Sequence, residues 1–157
     1  MKTSQFWLIY IMASLSVTQG YYTVTVFKQF GQTEPVLNDD SFLCTVGSVG
    51  FIMGIIRFFW SAALDLKSCS FKIVYTVLLC LQIAMSFTIH LAVQTRTTYA
   101  LWIALMIFTE GGHFTLVPNV LRIIFGEKSA SIIYGVVFSF TGVAQIIIIS
   151  IVLSKFG

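Results

Sequence analysis

Five runs of mostly apolar residues occupy most of this chain: about Phe6 to Phe27, Phe42 to Leu64, Ile73 to Val93, Tyr99 to Leu121 and Ile132 to Leu153. An α-helix needs about 20 such residues to cross roughly 30 Å of hydrocarbon, and each run is close to that length. The connectors are short, so neighbouring runs must be antiparallel. Inside lipid each backbone N–H and C=O has to be satisfied within its own segment, which excludes strands in an open sheet. With 57% hydrophobic and 10% charged residues and a mean hydropathy of +0.93, a chain of 157 residues has more apolar surface than one small soluble core can hide. The pattern predicts an all-α, multi-pass transmembrane bundle of about five helices, with the lipid bilayer as its first partner.

Lys2, followed by an apolar stretch reaching Ala13, Ser14 and Ser16, resembles a secretory leader. Apolar character resumes through Tyr21, Tyr22, Val24, Val26 and Phe27, which makes the run long enough to span, so we read it as the first helix. One set of helix ends collects Lys2, Lys67, Lys72, Arg122 and Lys128, whereas the other has Lys28, Arg96 and Lys155 beside Glu34, Asp39 and Asp40. Positive charge is enriched on the cytoplasmic side, which places the amino terminus inside and the 28–40 connector outside. The membrane is the plasma membrane or that of an organelle. The net charge of +3 follows from this bias and implies no nucleic acid. Cys44, Cys69 and Cys80 have no metal or redox spacing and are expected as free thiols. No phosphate loop, zinc-protease helix or nucleophile elbow is present, so an enzyme, a metal site and a cofactor are not expected.

Ionisable groups in hydrocarbon cost about 2.5 to 3.5 kcal/mol each, so those inside the runs are candidate functional groups. Arg57 lies about two turns, or roughly 12 Å, inward of Asp65. Its guanidinium suits an anionic substrate; a tether to Asp65 or to a helix-end carbonyl is the alternative. Glu110 and His113, three apart on one face, suit proton coupling; an interhelical hydrogen bond or a Glu110–Arg57 ion pair that neutralises both is the alternative. Gly111, Gly112 and Pro118 weaken the fourth helix near mid-membrane, as at the bending points of transporters. Gly47, Gly50, Gly54, Gly135 and Gly142 suit close helix packing. Asn119 and Gln145 are polar enough to line a cavity. Trp7, Trp60, Tyr99 and Trp102 lie near helix ends, where an interfacial belt would hold them. The third helix has no charge between Lys72 and His90 and is expected to face lipid.

Gly54, Arg57, Trp60, Asp65 and Lys72 resemble the cytoplasmic loop motif of the major facilitator superfamily, with Ser61, Leu66 and Ser68 departing from it. Glu110-Gly111-Gly112-His113-Phe114 with Pro118, then Phe125-Gly126, Tyr134-Gly135 and Gly142, resemble its oxalate/formate-antiporter-like and monocarboxylate-transporter-like branch, as does Phe6-Trp7-Leu8. The resemblance implies that the five helices match the seventh to eleventh of a twelve-helix transporter, so that residues 1–157 form a partial carboxy-terminal half. It also implies a conformational loop at Asp65 and Lys72. By the same resemblance Arg57 matches the cavity arginine of oxalate carriers, while the cavity lysine position falls at Thr141, so a second cation is absent.

The expected function is therefore transport of a small anionic, monocarboxylate-like or neutral organic solute by alternating access. Arg57, Thr141, Gln145 and Asn119 are the candidate solute contacts. The missing transporter half, or a second copy of the chain, would complete the machine. Alternatives are a non-transporting subunit that modulates a partner transporter and a small channel; the channel lacks a ring of like charges.

Overall fold

Seven helices and no strand occur among the described residues, 2–65 and 70–156, of a computed structural model. They are α1 Lys2–Thr33, α2 Asp40–Ile55, α3 Phe58–Asp65, α4 Phe71–Phe87, α5 Ile89–Ala92, α6 Arg96–Phe125 and α7 Glu127–Phe156. Three segments are long and apolar enough to cross a membrane: Asp40–Leu64, which takes in α2 and α3, Arg96–Phe125 and Glu127–Ile151. α4 is apolar but shorter, and the 32 residues of α1 are diluted by Ser14, Ser16, Thr18, Gln19, Thr23 and Thr25. Leu66, Lys67, Ser68 and Cys69, with the side chains of Lys2, Asp65 and Lys155, lie outside the described residues.

The helices outlast the apolar runs at most ends because caps, which apolarity does not register, set their limits. Thr95 accepts the Thr98 N–H at 3.2 Å and starts α6 three residues ahead of the apolar run. Asp39 accepts the N–H groups of Ser41 at 3.0 Å and Phe42 at 3.2 Å and so starts α2. Two runs expected to be continuous are divided. One divides at Ile56–Arg57 between α2 and α3, the other at Thr88 between α4 and α5.

The 34–39 connector is tied down. Leu37 is fully buried, Arg96 pairs with Asp39 at 3.0 Å and donates to the Val36 carbonyl at 3.2 Å, and Lys28 pairs with Asp40 at 3.3 Å. The Phe42 N–H, helped by the Arg96 charge, holds the Asp39 carboxyl below its ordinary range. A carboxyl depressed in the fold stabilises above its unfolded value and loses that contribution as pH falls through the folded one. We expect the melting temperature to drop more for the native chain than for Asp39→Asn between about pH 6 and about pH 3. Asparagine caps as well as aspartate, so the difference isolates the charge.

α6 is the centre of the bundle, since 61% of its apolar stretch is buried, against 17% for each of the other two spans. It packs against every other helix. One cluster, with Trp60, Leu78, Leu116 and Leu121, fills the end where Phe6 meets Phe125 edge-on at 6.5 Å. A second, with Leu37, Leu43, Tyr99 and Ile103, fills the end that carries the 34–39 connector. α4 buries Val74, Tyr75, Leu78, Gln82 and Met85 and exposes Ile73, Val77, Leu81 and Ile83.

The aromatic belt is corrected for three of its four members. Trp60, Tyr99 and Trp102 are buried, and each ties off a backbone carbonyl: Phe108 at 3.0 Å, Phe27 at 2.5 Å and Met85 at 3.0 Å respectively. An N–H or O–H beside an unpaired carbonyl in an apolar interior gains more there than at the interface. Trp7 alone is exposed, as a belt residue would be. Cys44 and Cys80 are exposed free thiols.

Candidate functional site

A groove of about 560 Å³ opens between α1, α2 and α6, walled by Val24, Phe27, Gly47, Gly50, Phe51, Gly54, Ile55, Phe58 and Ile107. Among its described lining residues Arg57 is the one charged group. Arg57 forms no ion pair and no side-chain hydrogen bond with any described residue. It sits where the helix changes pitch. The Ile56 N–H reaches back four residues to Ile52 at 3.2 Å, whereas those of Phe59 and Trp60 reach back only three, to Ile56 at 2.9 Å and Arg57 at 3.1 Å. A single 3₁₀ step inside a long helix commonly marks a functional hinge. The step approaches α6 closely because that helix offers Gly111, where an added Cβ would stand 2.9 Å from Arg57 Cβ.

Glu110, the neighbour of Gly111, points to a different side. It is 6% exposed, and neither carboxyl oxygen has a hydrogen-bond partner among the described residues. Its carboxyl lies against Gly20 of α1, where any Cβ would overlap Oε2. No Glu110–Arg57 ion pair forms among the described residues.

His113 is engaged on both ring nitrogens. Nε2 stands 2.7 Å from Ser16 Oγ and 3.0 Å from Gln82 Oε1, and Nδ1 stands 3.3 Å from the Tyr75 hydroxyl. Ser16 Oγ donates to Gln82 Oε1 at 2.6 Å, and Gln82 Nε2 donates to the Ser16 carbonyl at 2.9 Å. That last bond orients the amide, so Gln82 Oε1 is an acceptor and His113 carries its proton on Nε2, leaving Nδ1 to accept from Tyr75. One tautomer satisfies the whole set, which joins α1, α4 and α6. Gln19 also bonds Ser86 across α1 and α4.

The remaining candidates disperse. Thr141 is buried on α7, and Gln145, half-buried one turn later, has an unpartnered Nε2. Asn119 is outside the Arg57 groove: its Nδ2 donates to the Thr115 carbonyl at 3.1 Å, and it lines a separate opening of about 510 Å³ with Ser61, Leu64, Phe71, Arg122, Ile123 and Glu127. Arg122 and Glu127 form an ion pair at its rim. Lys72 is exposed near the start of α4, and Asp65 closes α3. α6 is one helix through Gly111, Gly112 and Pro118, and a separate change of pitch lies at Arg57 between α2 and α3. Gly112 is a close-approach residue, with Leu78 and the Trp60 ring on the space its side chain would need.

Ser16, Gly20, Tyr75 and Gln82 are site residues that the apolar runs do not single out. The available signal was Gln82, the one amide side chain of α4, and polar residues grouped in the middle of α1. Together fold and site define an all-helical protein with three helices long and apolar enough to span a membrane. No protein-family model, curated protein or solved structure matches the chain significantly.

Proposed function

We propose that this chain is part of a secondary transporter that moves a small anionic organic solute across a membrane by alternating access, with all five apolar segments inserted. The observation that carries this reading is Arg57: a guanidinium without a partner among the described residues, in a groove otherwise walled by apolar side chains and glycine. Arg57 is exposed on the groove; at membrane depth such a charge costs about 2.5 to 3.5 kcal/mol, and a carboxylate held by the guanidinium fork offsets it. The pitch change at Arg57 adds support, because interrupted helices commonly carry the sites of such proteins. The motifs that resemble the major facilitator superfamily agree with the reading, and further helices, from a longer polypeptide or a second copy, would close the open side of the groove.

The chain in phospholipid nanodiscs should bind a monocarboxylate such as lactate. Arg57→Gln is expected to weaken binding at least about tenfold, or about 1.4 kcal/mol, and Arg57→Lys to recover only part of it. Oxalate should gain little over lactate, since no second cation lines the groove among the described residues. Equal lactate affinity in the native chain and Arg57→Gln would overturn the assignment.

A further inference from the structure

We propose that five aromatic side chains at the connector end of the bundle form a binding site for a quaternary ammonium group, separate from the Arg57 groove. Tyr22, Phe27 and Phe30 of α1 and Tyr99 and Trp102 of α6 are five of the nine residues lining a cavity of about 130 Å³, to which α5 adds Ile89. Among the described residues none of the five pairs with another ring, and none is covered by a cation, although ring pairs are common elsewhere in the bundle. Their faces are therefore not taken up by one another. The polar atoms of the wall are engaged. The Tyr99 hydroxyl donates to the Phe27 carbonyl at 2.5 Å, Trp102 Nε1 to the Met85 carbonyl at 3.0 Å, and Thr23 Oγ1 to the Gln19 carbonyl at 3.1 Å. Tyr22 is half exposed.

These features select the ligand. A solute recognised through hydrogen bonds finds little here, and a primary ammonium, with three N–H donors, would be left unsatisfied. A quaternary ammonium has no N–H to satisfy, and aromatic rings attract it because their faces carry partial negative charge. Size agrees: a cavity of about 150 Å³ holds benzene, and a trimethylammonium group is about that size. Charge agrees as well. The 34–39 connector packs into the same apolar cluster as these rings. Beside it Lys28 and Arg96 are paired with Asp40 and Asp39, while Glu34, four residues beyond Phe30, has no ion pair among the described residues. The unpaired acid favours a cation over a neutral group of the same shape. Free choline and the choline headgroup of a phospholipid both carry the required group. Phe27 alone is shared with the Arg57 groove and is left unaltered in the test, so the proposal stands or fails apart from the anion site.

The test has two arms. In the first, radiolabelled choline is bound to the chain in phosphatidylglycerol nanodiscs, which contain no competing choline headgroup. Unlabelled choline should displace it at least about tenfold more effectively than dimethylbutanol, the isostere in which a carbon replaces the ammonium nitrogen. Tyr22→Leu combined with Phe30→Leu, which keeps apolar bulk and removes two rings, should weaken binding about tenfold, whereas Tyr22→Phe should leave it within about twofold. Circular dichroism checks folding, and Tyr22→Leu alone, at a half-exposed position, carries the comparison if the pair does not fold. In the second arm, the chain is released from nanodiscs of equimolar phosphatidylcholine and phosphatidylethanolamine and weighed by native mass spectrometry. Selective retention of phosphatidylcholine, lost in the leucine variant, identifies the headgroup as the source; choline binding without that retention identifies the free solute. Equal displacement by choline and dimethylbutanol overturns the proposal. So does a folded native chain that takes neither choline nor phosphatidylcholine, or a folded leucine variant that takes them as well as the native chain.

Discussion

Leucine in place of Gly112 is expected to leave little folded protein in mild detergent. A side chain there meets Leu78 from α4 and the Trp60 ring from α3, whose Cδ1 and Cε2 stand 3.1 Å from the first added carbon. Neither can retreat. Leu78 is fully buried, and Trp60 is held by its bond to the Phe108 carbonyl and by stacking on the Phe108 ring at 5.1 Å. Overpacking a core costs about 1 to 3 kcal/mol, and with both neighbours pinned the upper end, about 3 kcal/mol, is the expected loss. Leucine at Gly135 or Gly142, where an added Cβ meets no atom of another described element within 4 Å, should cost less than about 0.5 kcal/mol. Chemical unfolding followed by circular dichroism, with the monodisperse fraction on gel filtration, measures both. A Gly112→Leu protein as stable as Gly142→Leu would contradict the packing at the α3–α4–α6 junction.

The second large effect is expected at His113. Its replacement by leucine removes the partner of the Tyr75 hydroxyl and one of the two groups bonded to Gln82 Oε1, inside a site with no water-facing escape. Each stranded polar group costs about 1 to 3 kcal/mol in a protein interior, and interhelical bonds in membranes average nearer 0.6 kcal/mol, so a loss of about 2 kcal/mol is expected. Gln82→Leu should cost a similar amount. Because both residues serve one network, the double substitution should cost clearly less than the sum of the two. Additive losses would mean that the bonds do not act as a unit. Solute binding at Arg57, on the other side of α6, should survive His113→Leu in whatever fraction remains folded, which separates a structural tie from a role in the groove.

How much of this could be read from residues alone differs from element to element. The helical class was legible, because runs of about 20 apolar residues leave few other solutions. Helix limits were not, since Asp39 and Thr95 set them by accepting backbone N–H bonds in polar stretches that a search for apolar runs discards. Arg57 and Glu110 stood out for a simple reason: charge in hydrocarbon is rare and costly. What surrounds them did not, because close approach depends on which faces of different helices meet. Gly20 is one of several glycines in the sequence until Glu110 is seen lying on it, and Ser16 is an ordinary serine until Gln82 and His113 converge there. Gly111 and Gly112 were legible as weak points of α6 but not as the places where Arg57, Leu78 and Trp60 come close, and the change of pitch at Arg57 had no sequence signal of its own. Asn119 was grouped with Arg57 by polarity, and its position along α6 carries it into another opening.

The most direct test of the Arg57 reading uses a cysteine at Ile55, half exposed on the groove wall, with Cys44, Cys69 and Cys80 changed to serine. In membrane vesicles, the rate of its reaction with a water-soluble cationic thiol reagent reports whether the groove admits solutes, and added lactate reports whether it holds an anion. We expect Ile55→Cys to react, lactate to slow the reaction several-fold, and Arg57→Gln to abolish that protection. An unreactive cysteine, or a rate that lactate leaves unchanged while Arg57 is present, would contradict an anion site in this groove.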